Sequence, residues 1–210
     1  LNKLIAIATI SLLSGGISMA QKALNLEDIV AGNIIQTKGI GSMTWLKDGE
    51  RYSRLENNKQ TGGTDIVAYR AKDNSREVII PSSLLTDKST GRPIPVRSVS
   101  WSADNEKVLI YNNTRRVWRY DTRGDYWVLN LKDGALRQLG KGMPESSMMF
   151  AKFSPDGTRV AYVSNNNIYV EDINSGKITQ LTSDGSKTIV NGTFDWVYEE
   201  EFSCRDGFRW

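Results

Sequence analysis

Histidine is absent from all 210 residues. Without an imidazole the chain cannot complete a Ser-His-Asp or Cys-His nucleophile site from its own residues, and the usual zinc sites lose their commonest ligand. Cysteine is nearly absent. Cys204 stands alone, so no intramolecular disulfide can form and the fold does not rest on covalent staples. No Gly-x-Ser-x-Gly nucleophile turn occurs, and Gly39-Ile40-Gly41 lacks the pattern of a phosphate-binding loop, so it reads as an ordinary turn. Nothing in the chain calls for a metal or an organic cofactor. A large excess of one charge is missing too: 27 basic against 24 acidic residues leave +3. That gives no broad electrostatic reason to expect nucleic acid or an anionic membrane as partner.

Long apolar runs are confined to the beginning. Lys3 gives a positive start, Leu4 to Leu13 is almost wholly apolar, and Ser18-Met19-Ala20 is a small-x-small cleavage site. This is the layout of a secretory signal peptide over residues 1–20, with cleavage after Ala20. The run is too short to span a bilayer as a helix, and no later stretch is long enough. No cysteine sits at the cleavage site to carry a lipid anchor. The mature chain is expected to be near neutral and either periplasmic or extracellular.

What is present is a repeat. Trp45-Leu46-Lys47-Asp48-Gly49, Trp101-Ser102-Ala103-Asp104-Asn105 and Phe153-Ser154-Pro155-Asp156-Gly157 are versions of one motif. Each is an aromatic, two residues, then Asp followed by Gly or Asn. Pro fixes φ and Gly or Asn accepts positive φ, so each predicts a tight turn between strands. The third unit continues with Arg159–Val163, a turn at Asn165-Asn166-Asn167, Ile168–Val170, a turn at Asn174-Ser175-Gly176, and Lys177–Leu181. The second parallels it through Lys107–Tyr111, Tyr126–Leu129 and Ala135–Leu139; the first through Asp65–Tyr69 and Glu77–Ile80. Four-stranded units recurring about every fifty residues are the pattern of a β-propeller. Trp45 to Trp101 is 56 positions, Trp101 to Phe153 is 52, and Phe153 to Trp210 is 57. The expectation is therefore an all-β, incomplete propeller over residues 21–210, with about three blades and the start of a fourth, forming the N-terminal part of a longer protein. Ahead of it, Asn25–Ile29 reads as a short capped helix or turn.

One stretch stands outside the repeat: Asp195-Trp196-Val197-Tyr198-Glu199-Glu200-Glu201-Phe202. Three successive carboxylates repel one another, a cost that water or a cation must offset. The run reads either as an exposed acidic turn paired with Arg205 or Arg209, or as a site for a positive ligand.

This string, inside a propeller behind a signal peptide, resembles the dipeptidyl peptidase IV branch of the prolyl oligopeptidase family, in its bacterial form. The likeness runs from about Asn25 to Trp210. It implies an eight-bladed propeller over a C-terminal α/β-hydrolase domain. That domain would hold the Ser, Asp and His of a serine peptidase removing Xaa-Pro or Xaa-Ala dipeptides from free N-termini. It is absent from these residues, so no catalytic residue is expected here. By position in the motif, Glu200 and Glu201 would grip the substrate α-ammonium, and Glu199 would flank them. Val117-Trp118-Arg119 matches a family element in which an arginine after an aromatic binds substrate oxygen, which gives Arg119 that role. The other reading of Arg115, Arg116, Arg119 and Arg123 is a solvated basic loop. The implied partners are peptides with a free N-terminus and, at full length, a second copy of the chain. The turn repeats alone also fit periplasmic scaffold propellers of the TolB type, which bind proteins and catalyse nothing.

Export of the full-length protein in a Gram-negative host is expected to yield a mature N-terminus at Gln21. N-terminal sequencing checks this, and a periplasmic product that keeps residues 1–20 refutes it.

Overall fold

The computed structural model describes residues 25–30 and 41–210. The signal-peptide reading lies outside the described residues. In the first unit, Leu26–Val30 forms a short helix, α1, as the Asn25 motif predicted, with the Ile29 amide donating to the Asn25 carbonyl at 3.3 Å.

Residues 41–210 form a second compact unit, built from three four-stranded antiparallel sheets. The first blade is β1 (Thr44–Trp45), β2 (Arg51–Asn57), β3 (Thr64–Arg70) and β4 (Arg76–Ile80). A 3-10 turn at Ser82–Leu85 and a two-stranded hairpin, β5 (Thr86–Asp87) with β6 (Arg92–Pro93), follow it. The second blade is β7 (Ser98–Trp101), β8 (Lys107–Arg115), β9 (Arg123–Asn130) and β10 (Leu136–Gln138). The third is β11 (Met149–Phe153), β12 (Arg159–Ser164), β13 (Asn167–Asp172) and β14 (Ile178–Gln180), and a second helix, α2 (Trp196–Phe202), comes after it. Within each blade the strands pair in chain order, the up-and-down meander of a propeller.

The repeated motif makes the same turn three times. Gly49, Asn105 and Gly157 take φ of 70°, 57° and 66°, the left-handed conformation that only Gly and Asn adopt readily. The aspartate before each one caps the turn: Asp48 accepts from Glu50 N, Asp104 from Glu106 N and Asp156 from Thr158 N, at 2.9–3.0 Å. Between β12 and β13, Asn165 and Asn166 both have positive φ while Ser164 pairs with Asn167. That is the two-residue turn whose twist matches the flanking strands.

The blades stack through apolar side chains. Ile66, Ile80, Val108, Ile110 and Leu129 bury themselves between the first two blades; Leu109, Tyr126, Val128, Val160 and Tyr162 do so between the second and third. Strands β3 and β12 are covered on both faces, so they read as continuous apolar runs rather than alternating ones. Glu171, fully buried in β13, ties the second blade to the third by accepting from Arg137 at 2.6 Å and from the Gly140 amide at 2.8 Å.

A second repeat lies at the start of the third strand of each blade. Asp65 accepts from the Ser82 amide at 2.7 Å and from the Asn58 side chain at 3.0 Å. Asp125 accepts from the Ser146 amide at 2.8 Å and from the Asn113 side chain at 2.7 Å. Asn167 accepts from the Gly185 amide at 3.0 Å. All three are buried, and each amide belongs to the connection leaving its blade. Desolvation pushes the Asp65 carboxyl up, but the hydrogen bonds from Ser82 and Asn58 outweigh it and hold it below the ordinary range.

Asp125→Ala strands the buried Ser146 amide and is expected to cost about 1–3 kcal/mol, read as a lower urea midpoint at unchanged m. Asp125→Asn is expected to recover part of that loss, because its one oxygen can still accept from Ser146 as Asn167 does from Gly185, while its NH2 faces the Asn113 donor.

Candidate functional site

The acidic string folds as two turns of helix. Asp195, with extended backbone, caps α2 by accepting from the Tyr198 amide at 3.1 Å. Ser203 turns left-handed at φ 55° and ends the helix, and the Cys204 amide donates back to the Tyr198 carbonyl at 3.0 Å. The helix is an excursion between two points that meet again: Thr193 and Asp206 form a β-bridge, and the Gly207 amide donates to Gly192 O at 3.1 Å. Lys152 of β11 locks this closure to the third blade through Asp206 and through the Phe208 carbonyl at 2.8 Å. The helix is thereby held at both ends.

Successive helical residues point about 100° apart, so three adjacent glutamates cannot share one environment. Glu199 is turned inward and is 1% exposed. The Glu200 side chain is equally enclosed, and Glu201 is exposed. The aromatic residues form an open face: Trp196, Val197, Tyr198 and Phe202 are exposed, with Tyr198 stacked on Phe194 and tilted against Phe202.

The second blade brings its basic loop to this helix. The β8–β9 connection, residues 116–122, is tightened by the Val117 amide donating to the Tyr120 carbonyl at 3.0 Å. Its base is gripped by the Tyr111 hydroxyl, which reaches the carbonyls of Asp121 and Arg123 at 2.7 and 2.8 Å. From its tip Arg119 Nε meets Glu200 Oε2 at 2.6 Å. The two residues are 81 positions apart in sequence. The contact is an ion pair; neither Glu200 oxygen accepts an aligned hydrogen bond, and Glu199 Oε1 has no partner either. Beside it, Arg205 lies over the Tyr120 ring, Cζ to centroid 3.5 Å. Arg205 and the loop residues Tyr120, Asp121 and Thr122 line a cleft of about 310 Å³ together with Arg97, Tyr111, Tyr126 and Phe150.

The other arginines separate. Arg115 and Arg123 face each other across the β8–β9 ladder, and Arg116 lies 3.8 Å from Asp121. Arg209 pairs with Asp206 and not with the acidic run. Cys204 is a free thiol whose sulfur contacts the Phe202 carbonyl. Among the described residues no group of three or more His, Cys, Asp or Glu could hold a metal ion.

Burial pushes the Glu199 carboxyl above the ordinary carboxylate range; the Arg205 charge opposes this and the Glu200 charge adds to it. The signal that could have marked Glu199 was the helical spacing itself, since one of three consecutive residues must face the protein. Which one faces inward is set by packing, which the run of identical letters does not encode.

The fold is that of a propeller segment, with an acid–arginine cluster on the helical excursion that follows its third blade. The family described as the dipeptidyl peptidase IV N-terminal region matches residues 102–210. The chain belongs to that family. It is 28% identical to a probable dipeptidyl-aminopeptidase B of Aspergillus terreus over 206 residues, covering 94% of this chain and 22% of that protein. A probable dipeptidyl-aminopeptidase B of Talaromyces marneffei is 34% identical over 114 residues, 54% of this chain and 13% of that one. Among solved structures, dipeptidyl peptidase 4 of Porphyromonas gingivalis superposes with a TM-score of 0.70 and 25% identity, covering 89% of this chain and 26% of that one. The chain spans about a fifth of the length of the Aspergillus relative.

A carboxyl that is harder to ionise in the folded state binds extra protons there. Stability therefore falls as pH rises from the ordinary glutamate range through the raised value. Glu199→Gln removes that loss. The variant is expected to match or exceed the parent in urea midpoint at pH 7, with the difference vanishing at pH 4 and below. A Gln variant less stable at pH 7 than at pH 4, relative to the parent, overturns the assignment.

Proposed function

We propose that this chain is the substrate-selecting propeller segment of a secreted serine dipeptidyl aminopeptidase, which releases Xaa-Pro or Xaa-Ala dipeptides from peptides with a free N-terminus. In this reading Glu200 and Glu201 bind the substrate α-ammonium and Arg119 takes a substrate oxygen. The observation that carries it is the Glu200 carboxylate: enclosed, without an aligned hydrogen bond, and balanced by one arginine that is itself 70% exposed.

The formal charges support a monocation. With all three carboxyls ionised, Glu199, Glu200 and Glu201 against Arg119 and Arg205 leave one negative charge, which one ammonium neutralises. A primary ammonium has three donors, suited to two carboxylates and one further acceptor. On binding, the flexible Arg119 turns toward the substrate's carbonyl or carboxylate oxygens, and the ammonium takes its place beside Glu200. An internal peptide segment offers no such cation and is rejected. Anchoring the amine also fixes the register, so the bond after the second residue reaches the nucleophile. These 210 residues contain no histidine, so the triad belongs to another part of the full-length protein.

In the full-length enzyme, Glu200→Ala and Glu201→Ala are each expected to lower kcat/KM on Gly-Pro or Ala-Pro chromogenic substrates by about 2–5 kcal/mol of transition-state stabilisation. Arg119→Ala is expected to fall between these variants and the parent. N-acetylated substrates, which lack the cation, should start slow and change little. Near-full activity of both glutamate variants on free-amine substrates would reduce the acidic string to a solvated turn and favour a protein-binding scaffold.

A further inference from the structure

We propose that Arg205 is a positioning residue for the amine site: it clamps the 116–122 loop of the second blade onto the segment that follows α2, and so sets where Arg119 meets Glu200. The proposal rests on the amine-site reading above and adds a residue that reading does not use.

Three observations converge on Arg205. Its guanidinium is 3.5 Å from the centre of the Tyr120 ring, a close face-on cation–π contact. Tyr120 is the immediate neighbour of Arg119, and its carbonyl closes the turn at the loop tip by accepting from the Val117 amide. Fixing the ring therefore restrains the backbone that carries Arg119. The backbone beneath Arg205 is also fixed, because its carbonyl accepts from the Thr193 hydroxyl at 3.3 Å and the next residue bridges to Thr193 and holds Lys152. The clamp thus runs from a rigid point on the third blade to the tip of a loop on the second.

The second observation is electrostatic. Arg205 is the positive charge that acts on the inward-facing Glu199, and Glu200 is the negative one. From the loop, the charged groups facing this cluster are Arg119, paired with Glu200, and Asp121, which lines the same cleft as Arg205 together with Arg97. Arg205 therefore opposes the burial that makes Glu199 hard to ionise, and so favours negative charge beside the buried Glu200.

The third is what else holds the loop tip. Asp121, itself half-buried, lies 3.8 Å from both Arg97 and Arg116, long contacts to exposed arginines that contribute little. Arg205 Nε is buried with no hydrogen-bond partner, so the guanidinium is held by ring stacking and charge rather than by a hydrogen bond at that atom.

The test uses the full-length enzyme, a free-amine Ala-Pro chromogenic substrate, and the variants Arg205→Leu, Arg205→Lys and Tyr120→Leu. Arg205→Leu is expected to raise KM about 2- to 30-fold, the range a cation–π contact corresponds to, with kcat little changed. It should also move the acid limb of kcat/KM to higher pH. Tyr120→Leu should raise KM similarly and leave the limb in place, because the charge remains. Arg205→Lys should restore the limb and only part of the KM, since an ammonium lacks the flat guanidinium face. A purely structural role would lower kcat and thermal stability together and would not separate the limb from KM; that pattern overturns the proposal, as does an Arg205→Leu variant with unchanged KM and limb. If Glu200→Ala and Glu201→Ala raise KM while Arg205→Leu does not, this inference alone fails. If those glutamate variants leave KM unchanged, the amine-site reading fails first.

Discussion

The carboxylate of Asp125, shut inside the second blade, decides where that blade's chain leaves for the third. One oxygen holds the Ser146 amide and the other holds Asn113, which is also bound to Glu145 at 2.8 Å. Apolar stacking between blades is non-directional; it favours burial without choosing a register. A buried acceptor facing one particular amide does choose, because leaving that amide unpaired is costly. Asp65 and Asn167 do the same for the blades on either side. With the connections fixed, the β8–β9 loop of the second blade and the excursion after the third are brought to a common place.

The excursion itself is built to carry strain-free what the sequence makes awkward. Three adjacent carboxylates in an extended segment would alternate across a strand. In a helix they fan into three environments, one inward, one paired with an arginine and one open to solvent. Asp195 and the left-handed Ser203 limit the helix to seven residues, which keeps the exposed aromatic face small and local to the site.

Features that are local in sequence could be read from it directly. The aromatic-x-x-Asp turns depend on an Asp and a Gly or Asn within five residues, so their chemistry is visible in the letters. The meander follows from them, and the blade count with it. The aspartates of the second repeat were not legible, since Asp65 and Ser82 are 17 positions apart and nothing marks them as partners. The β5–β6 hairpin is silent in the sequence for a different reason: its strands are two residues each and carry no periodicity. At the site, Arg119 and Glu200 emerged together only through the family resemblance. Glu199, expected to be a mere flank, has a side chain as enclosed as that of Glu200, and Arg205 carries no signal beyond the suggestion of an acidic-turn partner. Both depend on how a loop and a helix from different blades pack, which is tertiary information.

The number of arginines at the site follows from the same electrostatics. Three glutamates with one arginine would leave two negative charges, one of them on an inward-facing side chain. In a poorly solvated place that excess is relieved by taking up a proton, and the group that gains it stops attracting cations. A second arginine, over the Tyr120 ring, makes ionisation of the buried glutamate less costly. Arg119 is exposed and paired with Glu200, while Arg205 is stacked on Tyr120. Under the proposed function, one arginine acts on the ligand and the other on the protein.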